Sequence, residues 1–132
     1  AKIARMTRIP IATDKAPAAI GPYSQAVRRG GFLFLSGQIP LDPATGNLVQ
    51  GDIALQTRRV FDNLKAVAEA AGSSLSAIVR VGIYVTDLAN FATVNAVMAE
   101  YFQAPYPARS TIQVSALPKG AEVEVDAVLV ID

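Results

Sequence analysis

The sequence predicts an α+β fold in which two helices cover one face of a β-sheet. Several short segments alternate apolar and polar residues or are rich in β-branched residues, and two longer segments repeat apolar residues at helical spacing. A chain of 132 residues can bury the core of one domain. We therefore expect residues 1–132 to form a single domain, with residues 1–6 as a short N-terminal extension.

The first third of the chain predicts three strands. Residues 7–11 form a short strand that Pro10 restricts to a sheet edge, because proline donates no ladder hydrogen bond. Residues 23–28 and 32–39 are expected to form a hairpin closed by a pair of glycines. Residues 32–35 are apolar on both faces, so this strand must be covered on both sides.

Two helices are predicted in the remainder of the chain. Asp52 is placed to cap a helix that runs to about Ala71, and Gly72 follows as its terminator. A second helix begins near Asn90 and ends before Pro105. Each keeps an apolar stripe at helical spacing, so each is expected to pack one face on the sheet.

The remaining strands are predicted over residues 77–85, 109–115 and 121–131, with a further short strand at 48–49. The last two long strands are expected to form a hairpin around residues 118–120. Two helices can cover only one face of such a sheet. Because several strands are apolar on both faces, the second face predicts a homo-oligomer.

Two absences limit the possible chemistry. The chain contains no cysteine and no histidine. This excludes a thiolate nucleophile, a Ser-His-Asp triad, histidine-based ribonuclease chemistry and metal sites built from thiols or imidazoles. An enzyme of this composition must use carboxylates, tyrosine, lysine, arginine, hydroxyl groups and water, and we expect no metal site.

The charge pattern indicates neither a nucleic-acid nor a membrane partner. The formal net charge is +1, with both signs scattered along the chain and no clustered basic stripe. No segment approaches the roughly 18 continuous apolar residues of a membrane span. No signal-peptide core follows the basic N-terminal residues, so the expected location is cytoplasmic.

Arg109 and three carboxylates near the C-terminus are the first candidates for chemistry. Arg109 follows a rigid Pro-Tyr-Pro segment, and its planar guanidinium can bind a carboxylate through two parallel hydrogen bonds. Glu122, Glu124 and Asp126 share one face of the last strand, and spacing alone does not rank them. They could form a solvated face or a cross-strand ion pair, or one could deprotonate a water beside the arginine.

Four other positions are candidates for polar contacts. Tyr23 stands at a loop-to-strand junction, where it could donate a hydrogen bond or pack as an ordinary aromatic residue. Ser36 and Gly37 interrupt an apolar strand, and the glycine predicts a bulge or a close backbone approach. Asn95 lies among the apolar residues of the second helix, which favours a structural hydrogen bond over a site contact.

Several motifs together resemble the RidA (YjgF/YER057c-type) family, and in particular the RidA subfamily marked by an arginine at the position of Arg109. The likeness covers nearly the whole chain after about Thr7, in the family's order and spacing. The matching segments are Ile20-Gly-Pro-Tyr-Ser-Gln25, Leu35-Ser-Gly-Gln-Ile-Pro40, Asn63-Leu64, Ala70-Ala-Gly72, Phe91-Ala-Thr-Val-Asn95, Pro107-Ala-Arg-Ser110, Leu117-Pro118 and Val123-Glu-Val125.

The resemblance implies a chorismate-mutase-like mixed sheet with two helices on one face. It also implies a homotrimer with a barrel-like core and a site in each cleft between subunits. The implied activity is hydrolysis of 2-iminopropanoate, 2-iminobutanoate and their enamine tautomers to 2-keto acids and ammonia, without a cofactor. Pyridoxal-phosphate dehydratases release these small 2-imino acids.

The resemblance assigns roles to individual residues as well. Arg109 would bind the substrate carboxylate, Glu124 would activate the attacking water, and Tyr23 would complete the catalytic group. Substrate contacts would come from Ser36, Asn95 and Thr111. Many relatives carry a cysteine at the position of Thr111, so a thiol-dependent step is not available to this chain.

Two other functions remain open on the sequence. One is a non-catalytic trimer that binds small carboxylates or protects client proteins. The other is an endoribonuclease or translation inhibitor, a role attributed to some relatives of the resembled family. The absence of histidine and of a basic stripe disfavours that second alternative.

Overall fold

The computed structural model describes residues 7–131, which contain one six-stranded sheet and two α-helices. The predicted extension over residues 1–6 lies outside this described part. The two helices and the single sheet confirm the predicted α+β class. The elements are β1 (Ile9–Ile11), β2 (Ala26–Arg29), β3 (Phe32–Gln38), α1 (Ile53–Ala70), β4 (Ile78–Val85), α2 (Phe91–Tyr101), β5 (Ala108–Gln113) and β6 (Val123–Val130).

The sheet is mixed, with the strand order β1-β2-β3-β6-β4-β5. The β4–β5 pair is parallel and is connected by α2, whereas β6 runs antiparallel between β3 and β4. The predicted hairpin of the last two strands is therefore wrong. A parallel pair needs a crossover, which α2 supplies, and the short 3₁₀ turn at residues 118–120 carries the chain past β4 to the centre of the sheet.

Helix α1 begins and ends as the sequence predicts. The Asp52 carboxylate caps it by accepting a hydrogen bond from the backbone N–H of Leu55 at 2.9 Å. Gly72 follows the last turn with φ of +80°, a left-handed conformation that glycine adopts without strain. Phe61 and Leu64 on its inner face are fully buried, so the helix is fixed firmly to the sheet.

The two faces of the sheet have different surroundings. Along β6, the side chains of Val123, Val125, Ala127 and Leu129 are buried in the main core with those of α1 and α2. The alternate residues point to the opposite side, which we call the open face. It includes Phe32, Phe34, Ile112, Glu124, Asp126 and Val128.

Large apolar side chains on the open face remain accessible within one chain. Phe32 and Phe34 are 49% and 45% exposed, and Ile112 is 49% exposed. Clustered exposed aromatic and aliphatic groups are typical of an interaction surface. One chain covers only the face of β3 that carries the helices, so the expected cover of its second face stays a prediction.

Two smaller features complete the description. The predicted short strand at 48–49 is reduced to a single bridge between Leu41 and Leu48. No helix within residues 7–131 has both the length and the apolar character needed to cross a membrane.

Candidate active site

Glu124 lies on the open face at an irregular point of the sheet. The pairing of β3 with β6 shifts register between Leu35 and Gln38, which confirms the bulge predicted at Gly37. A side-chain methyl group at Gly37 would collide with the carboxylate of Glu124, lying 2.9 Å from its Cδ atom. The glycine therefore provides the space that the glutamate occupies.

Glu124 contributes to a cavity of about 450 Å³, which we call the glutamate cavity. Its mouth carries Tyr23, which is 48% exposed and whose hydroxyl accepts a hydrogen bond from the Ile20 N–H at 3.3 Å. Ser36 also lines it and donates its own hydroxyl proton to the carbonyl of Ser24 at 2.6 Å. Gln38 adds a further polar group, and the rest of the wall is mostly apolar, formed by Pro17, Ala18, Ile20, Ile39, Leu41 and Pro118.

These surroundings change the acidity of Glu124. Burial against the apolar wall raises the pKa of its carboxyl, because a buried carboxylate loses solvation. The negative charge of Asp126 on the same strand face raises that pKa further. A carboxylate with a raised pKa is a stronger base, suited to accepting a proton from water.

The loop that forms one wall of the glutamate cavity is fixed by Gln25. The side-chain oxygen of this buried residue accepts a hydrogen bond from the Thr13 N–H at 2.7 Å. Its amide nitrogen donates to the carbonyl of Pro17 at 2.7 Å and to those of Thr13 and Ala16 at 3.0 and 3.3 Å. One side chain thus satisfies four backbone groups of this loop.

Arg109 lies on the edge strand β5 and points to the face of the sheet that carries the helices. Its partner in the parallel ladder is Val81, which is fully buried on that face. The guanidinium donates a hydrogen bond to the side-chain oxygen of Asn95 at 2.6 Å and lies 5.3 Å from the ring centroid of Phe91. Helix α2 therefore orients Arg109 through an amide and a cation–π contact.

The guanidinium keeps capacity for a further anion. No acidic side chain within residues 7–131 forms an ion pair with Arg109. The residue borders a cavity of about 440 Å³, which we call the arginine cavity. Its other lining residues are Asn95, Met98, Ala99, Tyr106 and Pro107. A small molecule with one carboxylate and a short apolar part fits this combination of groups.

Thr111 lies two residues along the same strand and on the same face as Arg109. It pairs in the ladder with the fully buried Ile83. Its hydroxyl oxygen is buried and has no hydrogen-bond partner among the described residues. A buried hydroxyl without a partner is unusual and marks a place where a ligand or water could bind.

The predicted site residues thus form two groups on opposite faces of the sheet. Tyr23, Ser36 and Glu124 meet in the glutamate cavity, whereas Asn95 and Arg109 meet in the arginine cavity. Within one chain these groups are separated by the sheet itself. The predicted pairing of β5 with β6, which would have brought them together, does not exist.

The structure also distinguishes the three carboxylates that spacing could not rank. Glu122 accepts a hydrogen bond from the side-chain amide of Gln56 on α1 at 2.6 Å. Asp126 accepts one from the Tyr84 hydroxyl at 3.1 Å. The carboxylate of Glu124 accepts no hydrogen bond from the described residues. Its oxygens are therefore available to bind a water or ligand in the glutamate cavity.

Sequence reasoning missed three residues around Arg109: Phe91, whose ring contacts the guanidinium, and Met98 and Tyr106, which line the arginine cavity. Two of them could have been found on α2, where Phe91, Asn95 and Met98 follow each other at spacings of four and three residues. Side chains at this spacing lie on one helix face. Within residues 7–131 no group of three or more acidic side chains is placed to hold a metal ion.

Comparisons with known proteins identify the family of this chain. A family model described as endoribonuclease L-PSP matches residues 13–131. Protein DfrA of Myxococcus xanthus is 57% identical over 128 residues, which is 96% of this chain and 98% of DfrA. A 2-iminobutanoate/2-iminopropanoate deaminase of Dermatophagoides farinae is 46% identical, over 92% of this chain and 95% of that protein.

The crystal structure of E. coli TdcF with bound serine is similar throughout. It superposes with a TM-score of 0.89 at 43% sequence identity, covering 94% of this chain and 99% of TdcF. The family model and these relatives span almost all of the described sheet and both helices. The chain therefore belongs to the RidA (YjgF) family, whose model carries the endoribonuclease L-PSP description.

Proposed function

We propose that the protein hydrolyses small 2-imino acids, such as 2-iminopropanoate and 2-iminobutanoate, to 2-keto acids and ammonia. The observation that carries this proposal is the guanidinium of Arg109, which borders a cavity and has no acidic partner among the described residues. A planar guanidinium binds a carboxylate through two parallel hydrogen bonds, and every 2-imino acid carries a carboxylate beside the reacting carbon.

We propose further that the functional unit is a homotrimer with its sites between subunits. Arg109 and Glu124 lie on opposite faces of one chain, so a substrate bound to one cannot reach the other in the same chain. A neighbouring copy packed against the open face would bring its Arg109 toward the glutamate cavity. The exposed Phe32, Phe34 and Ile112 provide apolar surface for such packing.

In the proposed reaction Glu124 acts as the general base. It accepts a proton from water while the water oxygen forms a bond to C2 of the protonated imine, giving a neutral carbinolamine. The protonated Glu124 then returns that proton to the nitrogen. The C2–N bond breaks, ammonia leaves, and Glu124 accepts the proton of the hydroxyl, whose oxygen becomes the keto oxygen. That proton then passes to the ammonia, which departs as ammonium and leaves Glu124 as a carboxylate again.

Two relatives support this choice of substrate. The D. farinae protein is named for the deamination of 2-iminobutanoate and 2-iminopropanoate, and TdcF was crystallised with serine. Serine has the carboxylate and the C2 nitrogen that a 2-imino acid also has. Arg109 would bind the carboxylate of such a ligand, and Tyr23, Ser36 and Thr111 would supply hydroxyl groups around it.

A coupled assay tests the proposal directly. A pyridoxal-phosphate dehydratase generates the imine from serine or threonine, and semicarbazide competes with the protein for it. We expect the protein to lower semicarbazone formation and to accelerate the release of keto acid and ammonia. Arg109→Ala should abolish this effect, whereas Arg58→Ala, which removes an exposed ion pair with Glu100, should retain it. Cleavage of RNA without any effect on the imine would contradict the proposal.

A further inference from the structure

A second polar group on the open face adjoins Glu124 and has no place in the proposed reaction. Asp126 follows Glu124 on the same face of β6, and Tyr84 and Gly82 oppose these two residues on β4. The Tyr84 hydroxyl donates to Oδ2 of Asp126 at 3.1 Å. Nη1 of Arg80 lies 4.0 Å from Oδ1 of the same carboxylate. Both oxygens of Asp126 are therefore held by β4.

Gly82 makes room for this group. A side-chain methyl group at Gly82 would collide with Oδ1 of Asp126, and would lie 2.9 Å from the Tyr84 hydroxyl and 3.3 Å from Nη1 of Arg80. Glycine weakens a central strand, because it loses more backbone entropy than other residues and packs no side chain. A glycine at position 82 therefore indicates that the carboxylate of Asp126 must fit against the backbone of β4 at this point.

We propose that Asp126 is a positioning residue for Glu124: Tyr84, Arg80 and the space at Gly82 hold its carboxylate on the strand face that carries Glu124, two residues from this base. This inference rests on the proposed function at one point, which is the role of Glu124 as the general base. Side chains two residues apart on one strand face are roughly 7 Å from each other. At that distance, beside a low-dielectric wall, two negative charges interact measurably.

The acidity of the surrounding groups agrees with this role. Burial and then the charge of Asp126 raise the pKa of Glu124. Burial, followed by the charge and hydrogen bond of Asp126, also raises the pKa of Tyr84, so this phenol stays protonated and keeps donating. Lys119, next to the cavity wall, directs its ammonium to the carbonyl of Gly46. Within one chain, the titratable groups that face Glu124 are Asp126 on β6, Tyr84 and Arg80 on β4, and Tyr23 at the cavity mouth. In the proposed trimer the Arg109 of a neighbouring copy would face it as well, and this cation is the same in the wild type and in each variant compared below.

The test measures the protonation of Glu124 without relying on turnover. Protein labelled with ¹³C at the glutamate carboxyl is titrated by NMR, and the signals of Glu69, Glu100, Glu122 and Glu124 are assigned by single glutamine substitutions. Asp126→Asn keeps the size of the side chain and an acceptor for Tyr84 but removes the charge. We expect it to lower the titration midpoint of Glu124 by about half to one pH unit.

Two further variants make the result specific. Glu122→Gln removes the same charge from a carboxylate that contacts α1, and it should move the Glu124 midpoint by less than about 0.2 pH unit. Arg80→Gln removes the cation beside Asp126, and it should move the midpoint upward. A structural disturbance alone would not produce opposite shifts from these two charge changes.

The outcomes separate this inference from the proposed function. An unchanged Glu124 midpoint in both Asp126→Asn and Arg80→Gln overturns the inference. If the midpoint shifts as expected, the acidic limb of the kcat/KM profile for imine hydrolysis should shift with it. A shifted midpoint with an unshifted acidic limb would support the role of Asp126 and refute Glu124 as the base.

Discussion

Arg109 and Glu124 lie on opposite faces of one sheet, with strand β4 between the strands that carry them. Arg109 is oriented by Asn95 of helix α2, and Glu124 occupies the space beside Gly37 on the open face. A carboxylate clamp and a water-activating base must both reach one substrate. Under the proposed function a single chain would therefore carry two half-sites, and each would need its complement from another copy.

We expect two inactive variants to restore each other's activity when they are mixed. Arg109→Ala and Glu124→Gln should each lose imine hydrolysis, but a mixed trimer contains one interface where both wild-type residues meet. After unfolding and refolding at equal amounts, random assembly should return about a quarter of wild-type activity. Coupled imine hydrolysis measures this recovery. A mixture as inactive as its two components would show that both residues act from the same chain.

The open face should be required for assembly. Phe34→Glu places a charge in the exposed apolar surface, and burying an unpaired carboxylate in an interface is strongly unfavourable. We expect this variant to sediment as a monomer at micromolar concentration. Leu55→Glu is the matched control, because Leu55 is also 45% exposed but lies on α1. Equal behaviour of the two variants in sedimentation velocity would contradict an interface on the open face.

Gly37 should be needed for activity, because the absence of a side chain at this position leaves room for the Glu124 carboxylate. In Gly37→Ala the added methyl group collides with the Glu124 carboxylate, so the base must move away from its position. A displacement of about 1 Å at a catalytic group can lower kcat/KM by about 100-fold. In Gly31→Ala the nearest atom is the Ile131 carbonyl oxygen at 3.4 Å, so this control should retain activity. Steady-state kinetics, with circular dichroism to verify folding, distinguishes the two.

Asn95 should act through Arg109. Asn95→Ala removes the acceptor that holds the guanidinium at 2.6 Å, and loss of one hydrogen bond to a charged group should raise KM about 10-fold. Asn95→Asp should raise KM further, because the new carboxylate competes with the substrate for Arg109. The side chain of Asn90 makes no hydrogen bond to the start of α2, so Asn90→Ala serves as the control. Unchanged KM in both Asn95 variants would contradict this role.

Within a single chain, where no arginine of a neighbouring copy faces it, the raised pKa of Glu124 should make its carboxylate destabilising at neutral pH. Its folded-state pKa lies above the unfolded value, so folding is disfavoured progressively as pH rises through that interval. In the Phe34→Glu background, which is expected to be monomeric, Glu124→Gln should therefore raise Tm at pH 8. The gain should disappear toward about pH 3, where the wild-type carboxyl is protonated in both states. Thermal unfolding across pH measures this difference. A gain that is equal at both pH values would exclude ionisation as its source.

Local signals in the sequence were sufficient for individual elements of the fold. Asp52 and Gly72 bracket α1 because capping and left-handed backbone are properties of a few neighbouring residues. The interruption of the apolar strand β3 by Ser36 and Gly37 located its bulge for the same reason. The pairing of strands depends on distant segments, and the turn-like residues at 118–120 suggested a hairpin that the chain does not form.

The candidate site was predictable as a set of residues but not as an arrangement. The resemblance to the RidA family named Arg109 and Glu124, yet nothing in the spacing of these residues indicates that they face opposite sides of the sheet. The parallel pairing of β5 with β4 decides this, and it follows from the crossover through α2. The strand–helix–strand order of residues 78–113 was the available signal for that pairing.

The hydrogen bonds of Gln25 affect how much the cavity wall must change when a ligand binds. Because the buried Gln25 amide binds four backbone groups of residues 13–17, this segment cannot move outward without breaking several hydrogen bonds at once. Binding then requires little ordering of the loop, and little conformational entropy is lost when a small molecule arrives. The shape of the cavity is fixed before any ligand is present, so selection among candidate ligands depends on size and charge rather than on adaptation of the wall.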